Sequence, residues 1–217
     1  KDPRVRKALF TSINKKEINK YILKGQGQLT GNILYEGIAV GGKKMPPHPY
    51  NPKAAAKLLR EAGYPKGKLK VTLYAILKTG YPESADVAQA IAADWEKIGV
   101  KTKIIPEKYG SLRPRIIKRT LPSPSLRIHP LGSRPFHGGL LRVFYSCPVA
   151  KLTVVCVPKV HEMIKKVNAS NTTKEYGERQ QAVAEVINKT HMGTMLHVVG
   201  RLMAANKKVK KSQKKSR

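Results

Sequence analysis

Apolar positions follow two rhythms along this chain, and each rhythm predicts elements. Between Pro3 and Leu23 the stripe Val5, Leu9, Ile13, Ile18 and Ile22 predicts one long helix, with Asp2 placed to cap it and Pro3 in its first turn. The run from His48 to Gly67 reads as a complete unit. Asn51 can accept the first free backbone N–H groups, and Pro52 sits where a helix needs no N–H of its own. Ala55, Leu58, Leu59 and Ala62 then share one helix face, Gly63 stops the helix, and Pro65-Lys66-Gly67 turns the chain. From Leu69 to Leu77 the rhythm changes to the alternation of a strand, rich in β-branched and aromatic residues. A loop at Lys78–Pro82, a helix over Glu83–Ile98, a stop at Gly99 and a strand over Val100–Ile105 follow. That order requires a right-handed crossover and two parallel neighbouring strands. The predicted fold class is α/β, with a mixed sheet flanked by helices.

The pattern is less regular elsewhere. Gly25 to Tyr50 is a long loop rich in Gly and Pro, of the kind that covers a surface or lines a cleft. Leu112–Lys118 has the look of a short helix that Pro114 interrupts or starts. Ser123–Gly139 is broken by Pro and Gly and shows neither rhythm. A helix around Pro158–Val167, a polar linker at 168–173, and a helix over Lys174–Lys189 with Ala182, Val186 and Ile187 inward come next. Met195–Val199 suits a closing strand.

Composition changes this picture mainly through charge. A chain of 217 residues with 41% hydrophobic content can bury a core of its own, and it contains no apolar run long enough to span a membrane. The net charge is +30, spread over the whole length: residues 1–107 carry 20 basic and 9 acidic side chains, and 162–217 carry 13 and 4. Between them, 108–161 carry 10 basic side chains and no acidic one. Such a field attracts polyanions. A nucleic-acid reader would add stacking aromatics or a reading motif, yet aromatics make up only 6%. A basic nucleic-acid or polyanion binder is therefore the alternative reading, resting on 108–161 and on the 207–217 tail, where seven of eleven residues are basic and disorder is expected. A degenerate fragment without function is the third.

Several stretches, in order, resemble the periplasmic solute-binding proteins of peptide and nickel ABC importers, extracellular solute-binding family 5. DPRVRKALFTSINKKEI (Asp2 to Ile18) looks like the family's "D.RVRqAl.yAIdr..I" helix, and HPYNPKAAAKLLREAGYPKG resembles its "YdPekAkaLLaeAGYP.G" segment. VAQAIAADWEKIGVKTKI (Val87 to Ile104) is similar to its "iAqaiqadw.kiGvk..i" helix and strand. FYSC at Phe144–Cys147 and CVPKVHEMIKK at Cys156–Lys166 resemble its "lfSC…wC…fe.LI" region, and Tyr176–Lys189 its "R..ly.eaq.i" helix. The likeness is dense over 2–119, thin over 120–143 and moderate over 144–206.

The resemblance implies one lobe of a two-lobed periplasmic-binding-protein fold. Residues 1–198 would be the second, carboxyl-terminal lobe; 199–206 would begin the return toward a first lobe missing from this chain; 207–217 would be the basic tail. It implies a periplasmic or extracellular monomer that captures a peptide or other small solute in an interlobe cleft and delivers it to a membrane permease. No enzyme activity and no cofactor is expected. The family's loop before its "aqaiqadw" helix often supplies a basic residue and a Tyr to the ligand, and the positions here are Lys78 and, with a one-residue shift, Tyr81. The family's Asp-rich ligand loop is replaced by His129–Gly139, with Gly132, Ser133 and Arg134 where an acid is expected. That stretch has either diverged strongly or undergone a shift of reading frame. Without the acid, retained dipeptide affinity is disfavoured, and an anionic ligand or none at all is favoured.

Other candidates carry less. Cys147 and Cys156 either close a short disulfide loop or sit as buried thiols on neighbouring strands; some family members have a disulfide here, with a longer loop. His48, His129, His137, His161, His191 and His197 are scattered, with no helical metal-site spacing, so no metal site is expected. Trp95 is expected in the core, Gly25-Gln26-Gly27 is too short for a phosphate loop, and no nucleophile elbow occurs. The Asn-x-Ser/Thr sites at Asn168, Asn171 and Asn188 are expected to be coincidental.

Overall fold

The computed structural model describes residues 2–34, 39–77, 81–129, 136, 138–147, 152 and 155–199. Helix α1 (Pro3–Thr11) starts as its sequence dictates: the Asp2 carboxylate accepts the Arg4 N–H at 2.8 Å, and Pro3 opens the first turn. The single helix expected to Leu23 is broken. Ser12 turns its hydroxyl back to the Leu9 carbonyl at 3.1 Å, and the Asn14 N–H leaves the helical ladder to donate to the Asp94 carboxylate at 2.7 Å. Asn14 then caps a new turn, α2 (Lys15–Glu17), which widens into a π turn over Ile18–Ile22. After a short strand β1 (Gly27–Gln28), helix α3 (Pro52–Glu61) has Asn51 as its cap, 2.9 Å from the Ala54 N–H. It ends at Gly63, where φ is +84°.

Strand β2 (Lys70–Leu77), helix α4 (Ser84–Lys97) and strand β3 (Lys101–Lys108) form the expected strand–helix–strand unit. β2 and β3 are parallel in register from Lys70↔Lys101 to Leu77↔Lys108. β3 runs past the expected Ile105 and through Pro106, which an edge strand tolerates because its outward N–H has no partner to lose. Helix α5 (Tyr109–Ile117) carries Pro114 inside it. A third strand absent from the sequence reading, β4 (Ser125–Ile128), pairs parallel with the other side of β2 and gives the order β3-β2-β4.

Three helices complete the described chain: α6 (Gly138–Tyr145), which was not expected, α7 (Pro158–Asn168) and α8 (Thr173–Lys189). The inner face of α8 is Gly177, Gln180, Val183, Ala184 and Ile187; Ala182 and Val186, expected inward beside Ile187, are only half-buried. β5 (Val198–Val199) closes antiparallel on β1.

Apolar burial organises these elements into layers. Ala8, Leu9, Ala55, Leu59, Val87, Ala88, Ile91 and Trp95 from α1, α3 and α4 cover one sheet face, Val71, Leu73 and Ala75. Trp95 is packed as expected, 1% exposed, and its indole N–H reaches the Leu9 carbonyl at 2.8 Å. Leu112 and Ile116 of α5 cover Tyr74 and Ile76 on the opposite face, but only over its carboxyl-terminal half. A third cluster joins α6, α7 and α8 to Ile33 and Leu34.

Candidate functional site

Parallel α/β sheets offer their ligand crevice at the carboxyl ends of the strands, where loops diverge and backbone polar groups are left without a ladder partner. Here those ends lie side by side. Leu77 of β2 is level with Lys108 of β3, and Ile128 of β4 is level with Ala75, two residues earlier. The described chain therefore leaves this edge at three neighbouring points: after Leu77, at the start of α5 at Tyr109, and at His129 after Ile128.

Tyr81 is half-buried at the head of α4, and its carbonyl receives the Ser84 N–H at 3.4 Å. Lys78 lies outside the described residues, as do Gly132, Ser133 and Arg134; the last described residue before Lys78 is Leu77. Residues 200–217, including the tail, also lie outside them.

Four residues gather beside this edge, of which sequence reasoning singled out only His129, at the start of the His129–Gly139 stretch. The Tyr109 ring meets His129 edge-on at 5.1 Å, and His129 packs on Phe144 at 5.0 Å. Arg127 reaches across from β4, donating to the Leu152 carbonyl at 2.9 Å with its guanidinium 5.9 Å from the Phe144 ring centre. No carboxylate partners Arg127 among the described residues. Burial lowers its pKa and the nearby Tyr109 and Tyr145 oppose that shift, but a guanidinium stays charged at any physiological pH. Burial also pushes the Tyr145 phenol up to about 12, so it stays neutral. The edge is thus aromatic and cationic. A signal existed in the sequence, the Leu126-Arg127-Ile128 alternation, but it is too short to stand out within a Pro-rich stretch.

Other polar groups near the sheet serve structure. Arg115 bridges Glu107 at 2.9 Å and the Tyr74 hydroxyl at 3.2 Å, so the one acid of β3 is already neutralised. Cys147 and Cys156 form a disulfide with a Cα separation of 5.4 Å, tying the chain after α6 to the residues before α7. Beside it, His161 Nδ1 lies 3.1 Å from the Ser146 hydroxyl. Among the described residues no group of three His, Cys, Asp or Glu could hold a metal ion, and no helix is long and apolar enough to cross a membrane.

A second concentration of polar groups joins α1 and α2 to the end of α8. Arg6 donates to the carbonyls of Thr190 and His191, at 3.1 and 2.9 Å. Lys15 donates to the Thr194 hydroxyl at 2.7 Å, which also lies 3.1 Å from His48 Nδ1. His48 Nε2 is 3.2 Å from the Asn188 carbonyl, and the His48 and His191 rings stack at 4.8 Å. Desolvation pushes Lys15 down to about 8, and desolvation with the neighbouring His48 and Lys7 pushes His191 down to about 4.

The chain is similar to several characterised proteins. It is 34% identical over 113 residues to heme-binding protein A of Haemophilus influenzae, covering 52% of this chain and 21% of that protein. It is 32% identical over 111 residues to the dipeptide-binding protein of Escherichia coli, covering 50% of this chain and 21% of the relative. The chain thus matches about a fifth of the length of these relatives. In fold it is similar to the crystal structure of a dipeptide-binding protein from a Pseudoalteromonas species in complex with Met-Leu, with a TM-score of 0.75 at 22% identity, covering 88% of this chain and 38% of that one. An ABC-transporter-associated periplasmic binding protein from Helicobacter pylori, in complex with a peptide, gives 0.74 at 24% identity, covering 90% and 38%. The architecture is that of periplasmic binding proteins, and the related proteins are binding components rather than enzymes. Residues 1–122 match the middle region of the bacterial extracellular solute-binding proteins, family 5, and the chain belongs to that family.

Proposed function

We propose that this chain serves as the carboxyl-terminal lobe, over residues 1–198, of the substrate-binding component of an ABC importer for peptides or related small solutes. The mechanism is reversible capture. Ligand binds between this lobe and a first lobe, hinge closure buries it, and the closed form docks on a membrane permease. No bond is made or broken. The compartment is the periplasm or cell exterior, and the lobe works as part of a monomer.

The observation that supports this reading is the alignment of the β2, β3 and β4 carboxyl ends, which sets Leu77, the residue before Lys78, beside Tyr109 and His129 at one edge. Lys78 and Tyr81 are the ligand contacts: an ammonium for a carboxylate, and an aromatic wall with a hydroxyl for the ligand body. No Asp or Glu occurs between Lys108 and His161, so this lobe offers the amino group of a peptide no counter-charge from that stretch. Its ligand preference follows: affinity rests on the carboxylate, and free dipeptides bind weakly to this lobe alone.

Calorimetric titration with di- and tripeptides, each with a free or an acetylated amino terminus, tests this. Acetylation is expected to leave affinity within about twofold, while Lys78→Ala and Tyr81→Ala each weaken the best ligand about tenfold. Binding that both substitutions leave unchanged would remove the proposed site.

A further inference from the structure

A basic groove lies at the opposite end of the sheet. Helix α5 covers the β2–β3 face only from Tyr74 onward. Among the described residues no helix covers the amino-terminal half of that face, which forms the floor of a groove of ≈ 380 Å³. Three lysines line it, Lys70 from β2 with Lys101 and Lys103 from β3. Val71, Thr72, Thr102, Pro122, Ser123 and Pro124 complete its lining, and none of the lining residues is acidic.

Register explains the convergence. Lys70 is level with Lys101, and Thr72 with Lys103, so all four side chains leave the same face. Adjacent strands stand about 4.8 Å apart and alternate residues about 6.7 Å apart. Three ammonium-bearing residues therefore start from a triangle a few ångströms on each side. None of the three takes part in an ion pair among the described residues, and all are exposed. The Thr72 and Ser123 hydroxyls make no hydrogen bond to another described residue either, so both are free to donate into the groove.

Like charges gathered this closely repel one another, and an anion that bridges them relieves that repulsion while forming charge-assisted hydrogen bonds. One orthophosphate carries at most about two negative charges at neutral pH and leaves three ammonium groups under-compensated; two or three linked phosphates match them. The groove is concave and of ligand size, which suits a compact anion better than the flat surface of a bilayer. No aromatic side chain lines it, so it offers nucleobases no stacking platform. We infer that the Lys70–Lys101–Lys103 groove binds a small multivalent oxyanion, an oligophosphate or a molecule bearing adjacent phosphates. The site stands apart from the carboxyl-terminal edge and does not depend on solute capture there.

The test must separate this site from the general attraction of a +30 chain. Inorganic tripolyphosphate is titrated into the isotope-labelled chain at physiological salt, with amide shifts followed by NMR. Saturable shifts are expected at residues 70–72, 101–103 and 122–125, with affinity for orthophosphate at least about tenfold weaker. Replacing Lys70, Lys101 and Lys103 by Gln should weaken tripolyphosphate about tenfold or more. The same replacement at the exposed Lys53, Lys159 and Lys174 removes equal charge and should cost less than about twofold. Equal losses for the two triple variants, or shifts spread over the whole surface, would reduce the effect to non-specific attraction and overturn the proposal. Vesicles rich in phosphatidylglycerol form a separate arm. Groove-dependent binding to them, with none to tripolyphosphate, would assign the site to a membrane and equally refute it.

Discussion

At the scale of single residues, the buried Lys15 shows how position overrides type. Its ammonium is 4% exposed by residue and has one hydroxyl partner, Thr194, where a carboxylate would be expected. With a folded value of about 8 against an ordinary 10.5, the unfolded chain holds this proton more tightly than the folded one. Stability therefore rises as pH climbs from about 8 toward 10.5, and the charged form costs the fold roughly 3 kcal/mol below that window. Lys15→Met keeps the stem and removes the charge, at the loss of one hydrogen bond worth about 1 kcal/mol. Chemical denaturation should find this variant about 1–2 kcal/mol more stable at pH 7, with the advantage gone by pH 10.5. His191 sets the acid side of the same profile. Its folded value of about 4 lies below the ordinary 6.5, so the fold loses stability as pH falls through that interval. Because His191 is only partly buried, solvent screening reduces that loss to about 1 kcal/mol. None of this was legible in the sequence, where His48 and His191 are far apart and Lys15 looks like any charge on the polar face of a predicted helix.

At the scale of elements, the sequence was most informative where a residue's role depends on its near neighbours. Asn51, Pro52 and Gly63 set the limits of α3 by local chemistry alone, and the structure repeats them. The α1–α2 break is the opposite case. Its cause is Asp94, eighty residues away, whose carboxylate takes the Asn14 N–H at 2.7 Å and the Lys97 ammonium at 2.8 Å. Apolar periodicity continues across the break, so no local pattern reveals it. β4 and α6 stayed hidden for another reason: each is short and lies in a stretch whose Pro and Gly residues mask both rhythms. The candidate edge was legible to the same extent. Tyr81 could be named only through the family resemblance of the loop before α4, whereas Arg127 and Phe144 depend on elements that could not be seen. Asp94→Ala tests the long-range contact. It leaves the Asn14 N–H without its acceptor in a half-buried joint and should destabilise the chain by about 2 kcal/mol in urea unfolding. Lys97→Ala removes only the exposed arm of the pair and should cost less than about 0.5 kcal/mol. Equal losses would show that the ion pair, rather than the backbone contact, fixes the break.

At the scale of the whole molecule, two quantities compete. Three apolar clusters hold the layers together, and a net charge of +30 works against them. The balance was readable from composition in sign, but its distribution emerges only in the fold. The described residues form six ion pairs, one of them between the mostly buried Asp94 and Lys97, which leaves most of the basic side chains unneutralised on one compact surface. A folded chain of this length has a radius of gyration on the order of 17 Å. At 0.01 M salt the screening length of about 30 Å exceeds that radius, so every charge feels every other; at 0.15 M it falls to about 8 Å and only neighbours interact. Unfolding separates the charges, so repulsion favours the unfolded chain most at low salt. Raising sodium chloride from 0.01 to 0.15 M should recover about 2 kcal/mol and lift the thermal midpoint by roughly 4–8 °C. The lysine-to-glutamine triple at 70, 101 and 103 should melt higher than the parent at 0.01 M and converge with it at 0.15 M, because it removes repulsion that salt would otherwise screen. A midpoint independent of salt would mean that the surface charges are too far apart to interact, and the convergence of lysines on the β2–β3 face would then carry no energetic weight.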